Sequence, residues 1–274
     1  MPKSQTSSSP SAGASPKETS TVKRVLLLLR YVTDYPGESV QTLAKRLNLP
    51  RSSVHRLLAT LRDHDFLTHE SGGSFYPGLE LYRFAAKLGG RMPYIKLAQP
   101  YLSGLSERFH ETSILTLLER HRLKMFHAAN GSPSDPMRYN IQLNSLETLV
   151  WGATARAILA HLTDTEIHQA IAEQTPSPVE GLLPNKNEIL AALASIRHDG
   201  YAVTHSHRTQ NTIGVAAPFF DSEGVVVGSL GFLIPSFRWN KPEPNQFTDA
   251  LQEAAQSLSQ ELGYTRSMPS CDDP

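Results

Sequence analysis

Five polar side chains crowd the six positions that follow Pro50: Arg51, Ser52, Ser53, His55 and Arg56. A guanidinium can bridge guanine O6 and N7 or grip a phosphate, and a serine hydroxyl reaches phosphates or base edges. The set therefore suits contact with a polynucleotide. A second set starts at Gly152, where Gly152, Ala153, Thr154 and Ala155 put small residues at a helix start, with Arg156 close by. Unobstructed first-turn N–H groups attract an anion such as a ligand carboxylate, and Thr154 adds a hydroxyl. The same small residues would equally serve tight helix packing. A third set is His205-Ser206-His207, with His198 nearby. Alternating histidines on a strand point the same way, and neutral imidazoles suit zinc. No clear third ligand follows and the stretch reads partly as loop, so no metal and no cofactor is expected.

Each set needs an element to hold it. Val22, Val25, Leu26, Leu29 and Val32 recur at helical spacing, which predicts a helix over Thr21–Asp34, closed by Tyr35-Pro36-Gly37. Ser39 is placed to cap a second helix, Val40–Leu47, and Asn48 and Leu49 then turn the chain. Pro50 opens a third helix, since its missing N–H costs nothing in a first turn. Val54, Leu57, Leu58 and Leu61 form that helix's inner face, which leaves the Arg51–Arg56 set mostly on the outer one. Phe66–His69 and Ser74–Tyr76 flank Ser71-Gly72-Gly73, a hairpin signal. Three helices followed by a hairpin describe a winged helix-turn-helix, whose second helix-turn-helix element enters the major groove. The same pattern would also fit a small bundle used for oligomerisation.

Charge separates the two readings. Thr21–Met92 holds eleven Lys and Arg against six Asp and Glu, a net of +5; the preceding tail is +1 and everything after Met92 sums to −6. A neutral chain thus contains a basic N-terminal third, the natural partner of a polyanion. With 39% hydrophobic and 19% charged residues, the 274-residue chain has material for about two ordinary domains. Its one cysteine, Cys271, excludes intramolecular disulfides and multi-cysteine zinc modules. No apolar run approaches the ~18–20 residues of a membrane span, and no signal-peptide core is present, so a soluble cytoplasmic protein without a membrane partner is expected.

Beyond residue 93 helix and strand patterns alternate. Helices are expected over Ala98–Phe109, Thr154–His161, Thr165–Glu173, Glu188–His198 and Phe247–Leu262. Strands are expected over Ser113–Leu118, Leu123–Ala128, Met137–Leu143, Tyr201–Thr204, Ile213–Phe220 and Val225–Ile234, with Asp221–Gly224 turning the last two into a hairpin. An antiparallel sheet with helices packed on it follows.

Several stretches resemble one family. SVQTLAKRLNLPRSSVHRLLATLRDHDFL (Ser39–Leu67) is similar to the DNA-binding domain of the IclR family of bacterial transcription regulators. GLELYRFAAKL (Gly78–Leu88) resembles its linker helix, and ATARAILAHL (Ala153–Leu162) the helix that opens its effector pocket. GYAVTHSHRTQNTIGVAAPFFDSEGVVVGSLGF (Gly200–Phe232) is similar to its C-terminal signature, and the motifs keep the family's order over roughly residues 21–262. The resemblance implies an α+β two-domain chain: a winged helix-turn-helix, a linker helix, and a GAF-like α/β effector-binding domain. It also implies a homodimer, often paired into a homotetramer, that binds double-stranded operator DNA and answers to a small metabolite. The limits expected are a disordered tail over 1–20, the DNA-binding domain over 21–82, the linker helix over 83–95, the effector domain over 96–262 and a flexible tail over 263–274.

Carried over position by position, the family's pocket falls on Ala153, Thr154, Thr204, Gly214, Gly231 and Leu233. Thr204 stands where the family frequently has an acid. Asn211-Thr212-Ile213-Gly214 replaces a common Gly-Leu-Arg-Cys stretch, and Trp151 a smaller residue. These departures remove polar groups, which implies a partly apolar ligand such as an aromatic acid. Catalysis is not expected: Cys271 sits in a tail, no carboxylate pair stands out, and neither Gly152–Arg156 nor Gly228–Phe232 is a phosphate loop or nucleophile elbow. A DNA-binding protein with a purely structural C-terminal domain is the remaining alternative.

Overall fold

The computed structural model describes residues 20–70, 73–88, 92–131, 141–173, 175–239 and 244–265. The chain divides into two compact units, residues 1–89 and 90–274.

In the first unit, α1 (Thr21–Asp34) begins at Ser20, whose hydroxyl accepts the Lys23 N–H at 3.3 Å. Ser20 thus caps a helix rather than ending a tail. Ser39 accepts the Thr42 N–H at 3.3 Å and caps α2 (Val40–Leu47), and Asn48 ends it in the left-handed region at φ 50°. The third helix, α3, is Arg51–Asp63. Pro50 is its N-cap, at φ −58° and ψ 134°, one position earlier than the sequence suggests, and its carbonyl accepts the Val54 N–H at 3.1 Å. Leu28, Val32, Leu43, Val54, Leu58 and Phe75 are among the side chains that close the core. The hairpin is present as β2 (Leu67–His69) and β3 (Ser74–Pro77). A two-residue strand that the sequence did not predict, β1 (Glu38–Ser39), pairs with β3 as Glu38↔Phe75 and Ser39↔Ser74. The wing is thereby tied to the start of α2. From the wing the chain enters α4 (Leu79–Leu88) through Gly78, where a Cβ would collide with the Asp65 carbonyl.

The region expected as one linker helix over 83–95 is divided. It ends α4 at Leu88 and starts α5 (Pro93–Phe109), with Met92 extended at φ −66° and ψ 116°. The cause is Pro93, whose ring disfavours the helical region for the residue before it.

The second unit is a six-stranded antiparallel sheet. Its strands are β4 (Thr112–Glu119), β5 (Lys124–Gly131), β6 (Glu147–Thr148), β7 (Ala202–His205), β8 (Thr212–Phe220) and β9 (Val226–Pro235), in the order β6-β5-β4-β9-β8-β7. Period-two alternation divides the strands between two cores. Val215, Ala217 and Phe219 pack with α5 and with α9 (Pro244–Glu261). Ala216 and Phe220 pack with α6 (Ala153–Leu159), α7 (Asp164–Ala172) and α8 (Lys186–Asp199). Of the strand expected over Met137–Leu143, residues 137–140 lie outside the described residues and 141–143 are not strand. The expected tail from 263 is ordered at its start: Gly263, at φ +90°, turns the chain so that Tyr264 stacks on Phe220 at 5.3 Å between ring centres. The two-domain α+β class is the one expected, with a winged helix-turn-helix and a GAF-like sheet domain. Among the described residues no helix is long and apolar enough to cross a membrane.

Candidate functional site

The polynucleotide set sits as its spacing requires. Arg51, Ser52, His55 and Arg56 are exposed on α3 and Ser53 is half-buried, while Val54, Leu57, Leu58 and Leu61 face the core. Arg51 and His55 line a groove with Gln41 at the start of α2 and His69 on the wing, and Arg62 extends it two helical turns further. Ser52, Ser53 and Arg56 lie outside that groove. Gln41, Arg62 and His69 were not singled out from sequence. Helical spacing from Arg51 through His55 would have reached Arg62, whereas His69 depends on how the wing folds back.

The second unit contains a cavity of about 280 Å³ on the α6 side of the sheet. Ala153, Thr154, Thr204, Gly214 and Leu233 line it. Gly231 does not. It lies beneath Thr154, where a Cβ would come within 2.7 Å of Thr154 Cγ2 and 2.8 Å of the Val215 carbonyl oxygen. Gly214 is a floor of similar kind: a Cβ would meet Thr204 Oγ1 at 3.1 Å and Ala153 Cβ at 3.2 Å. Thr204 and Gly214 are register partners across β7 and β8, which is why residues ten apart in sequence share the site.

The cation at the cavity is Arg208, not Arg156. Arg156 donates from Nε to the Val150 carbonyl at 3.1 Å and does not line the cavity. Arg208 comes from the loop joining β7 to β8. It donates from Nη1 to the Trp151 carbonyl at 3.3 Å and forms an ion pair with Glu147. Burial lowers its guanidinium to about 10, so it stays charged at neutral pH. His127 Nδ1 lies 2.9 Å from Thr116 Oγ1, and burial together with the Arg208 charge holds this imidazole down to about 4. His207 is likewise held to about 4, by burial and then by Arg156 and His205. Both imidazoles are therefore neutral near pH 7. Thr209 and Thr212 add hydroxyls, and Ile114, Ile141, Phe232 and Leu233 add apolar surface. The lining is thus more evenly mixed than the family substitutions alone suggested.

The histidine set does not converge. Ser206 takes φ 52° and ends the strand at His205, so His205 and His207 do not alternate along one strand. His198 is exposed on α8 beside Asp199. No group of three or more His, Cys, Asp or Glu among the described residues is arranged to hold a metal ion.

The IclR helix-turn-helix domain matches residues 21–71, and the C-terminal domain of the bacterial transcriptional regulator IclR matches residues 87–260. The chain belongs to the IclR family. It is a DNA-binding transcription regulator with an effector-binding C-terminal domain, and its relatives are regulators rather than enzymes. It is 25% identical to the HTH-type transcriptional regulator KipR of Bacillus subtilis (strain 168) over 247 residues, 89% of this chain and 98% of that one. A solved IclR-type transcriptional regulator from Silicibacter sp. TM1040 shares 22% identity at a TM-score of 0.80, covering 92% of this chain and 100% of the other. An IclR homologue from Microbacterium hydrocarbonoxydans, solved with 4-hydroxybenzoate, shares 19% identity at a TM-score of 0.69, covering 89% and 99%.

Within this IclR regulator the residues that sequence reasoning missed are Arg208, Glu147, His127 and Thr212. A signal for Arg208 existed. Thr204 and Gly214 were both assigned to the pocket, so the short loop joining them had to pass over it. Glu147 carried no such signal, because β6 is placed only by pairing with β5 more than twenty residues earlier, and His127 none, because nothing in its hairpin marks which strand positions face the cavity.

Proposed function

We propose that this regulator reads a pseudo-palindromic operator through Arg51, Ser52, Ser53, His55 and Arg56, and that an aromatic organic acid tunes it from the cavity. The head spans residues 21–82 and the effector domain residues 96–262. Self-association into a dimer or a pair of dimers sets two α3 helices on half-sites about one helical turn apart, or a multiple of it. The protein works in the cytoplasm, where its operator lies.

The observation that supports the ligand class is the pairing of one cation, Arg208, with the apolar patch of Ile114, Ile141, Phe232 and Leu233 in a single cavity. Its volume of about 280 Å³ is at the small end for ligand pockets, which suits one ring rather than a fused system. Ala153, Thr154, Thr204, Gly214 and Leu233 shape it and Gly231 supports it from beneath. The Microbacterium homologue holding 4-hydroxybenzoate is consistent with this chemistry. The acid acts by binding one arrangement of the two heads better than the other, and its effect cannot exceed that difference in affinity.

The test is calorimetric titration of the full chain with benzoate and 4-hydroxybenzoate against glyoxylate and pyruvate, together with gel shift on the DNA upstream of its own gene. Aromatic acids are expected to bind and to change the shift. Tight binding of the small aliphatic acids alone would refute the ligand class, and a shift indifferent to every acid would refute effector control.

A further inference from the structure

The cavity already contains a carboxylate. Glu147 lines it and ion-pairs with Arg208. Arg208 is the cation among the lining residues, and His127 and His207 are neutral near pH 7, so Arg208 and Glu147 cancel. An incoming acid therefore meets a guanidinium that is occupied.

The two members of the pair are held differently. The loop carrying Arg208 is pinned at three points. Ser206 N–H donates to the Thr212 carbonyl at 2.7 Å, Asn211 N–H to Ser206 Oγ at 3.1 Å, and Ser236 N–H to the Asn211 carbonyl at 2.9 Å. The stem of Arg208 is packed over Gly152 and its Nη1 is on the Trp151 carbonyl. Glu147 instead stands on β6, a two-residue strand at the edge of the sheet. The two side chains are about equally buried, so the difference lies in the backbone that carries each. The geometry provides a cation held by its pinned loop and packed stem and an anion held only by a short edge strand.

We infer that Glu147 is an internal competitor: it occupies Arg208 while the cavity is empty, and a carboxylate effector binds by taking its place on the guanidinium. This rests on the carboxylate-effector reading above. Exchange has two consequences. Affinity for an acid is reduced by the strength of the pair it must break, so Glu147 sets the concentration at which the regulator responds. A neutral analogue of the same shape offers Arg208 no charge in return and is rejected, so the pair is also a filter for ionised ligands.

The test titrates the full-length wild type, Glu147→Gln and Arg208→Gln with benzoate, pyruvate and the neutral benzamide, with thermal melts to verify folding. Glu147→Gln is expected to tighten whichever carboxylate binds by up to about fivefold, the worth of one partly exposed ion pair, and to leave benzamide unchanged. Arg208→Gln is expected to weaken the carboxylate at least as far, and the double variant to behave like Arg208→Gln. If a carboxylate binds the wild type and Glu147→Gln leaves its affinity unchanged or lower, the exchange is wrong and the acid reading stands. If no carboxylate binds either the wild type or Glu147→Gln, both are wrong. Should the glutamine variant misfold, Glu147→Ser replaces it under the same criteria.

Discussion

The side chain of Arg208 runs across Gly152: a Cβ on that glycine would sit 2.8 Å from Arg208 Cδ and 3.3 Å from Cγ. Gly152 also adopts φ +86° and ψ 155°, a region nearly closed to residues with a side chain. One residue thus starts α6 and leaves passage for the cavity's cation. Gly152→Ala is expected to cost about 1–3 kcal/mol through its backbone alone. Urea unfolding followed by near-ultraviolet dichroism should show the lower midpoint, and carboxylate binding should weaken as Arg208 is pushed aside. A wild-type midpoint would mean that the backbone relaxes there.

Arg56 is exposed beyond the Arg51–His55 groove, one position further along α3. Arg56→Ala should weaken operator binding and, through loss of a phosphate contact, reduce the slope of log affinity against log salt by about one. Fluorescence anisotropy at four or five salt concentrations reads both quantities. Unchanged affinity and slope would remove Arg56 from the interface.

Thr154 is buried between the cavity and Gly231, and its carbonyl accepts the Ser229 hydroxyl at 3.0 Å. Thr154→Phe should fill the cavity, abolish the effector response and leave operator binding intact, at about 1–3 kcal/mol of overpacking. The comparison needed is gel shift with and without effector. Loss of DNA binding together with the response would indicate misfolding rather than a blocked site.

His127, His161 and His207 are each held down to about 4, in every case chiefly by burial. Unfolded, such imidazoles take up a proton near 6.5. Between these values the unfolded chain binds more protons, so stability is complete above about pH 6.5 and falls as pH drops toward 4. Melting temperatures measured from pH 4.5 to 7.5 should rise with pH. His127→Gln, which keeps a partner for Thr116, should flatten the rise. A melting temperature independent of pH over that range would contradict the assignment.

What could be read in advance divides along the range of the interactions. α3 was legible because Val54, Leu57, Leu58 and Leu61 repeat within one helix, and Ser39 was legible because its cap is three residues away. β1 and β6 were not: each is two residues long, too short for any period, and exists only through a partner far along the chain, Phe75 for Glu38 and Met125 for Glu147. Tyr264 read as tail because a lone aromatic among glycine and proline carries no pattern, yet Phe220 receives it. In the cavity, five lining positions came from the family resemblance, while its charged pair did not. Arg208 and Glu147 are 61 positions apart in the chain, and only the folded domain makes them neighbours.

Gly78 is bonded backbone to backbone at the root of the wing: its N–H donates to the Phe66 carbonyl at 2.8 Å, and the Glu80 N–H donates to the Asp65 carbonyl at 3.0 Å. With no Cβ to hold the strands apart, the first turn of α4 is stapled directly to the chain that leaves α3. A joint of this kind has little slack. Torque applied to the first turn of α4 would turn α3 and the wing as a single lever.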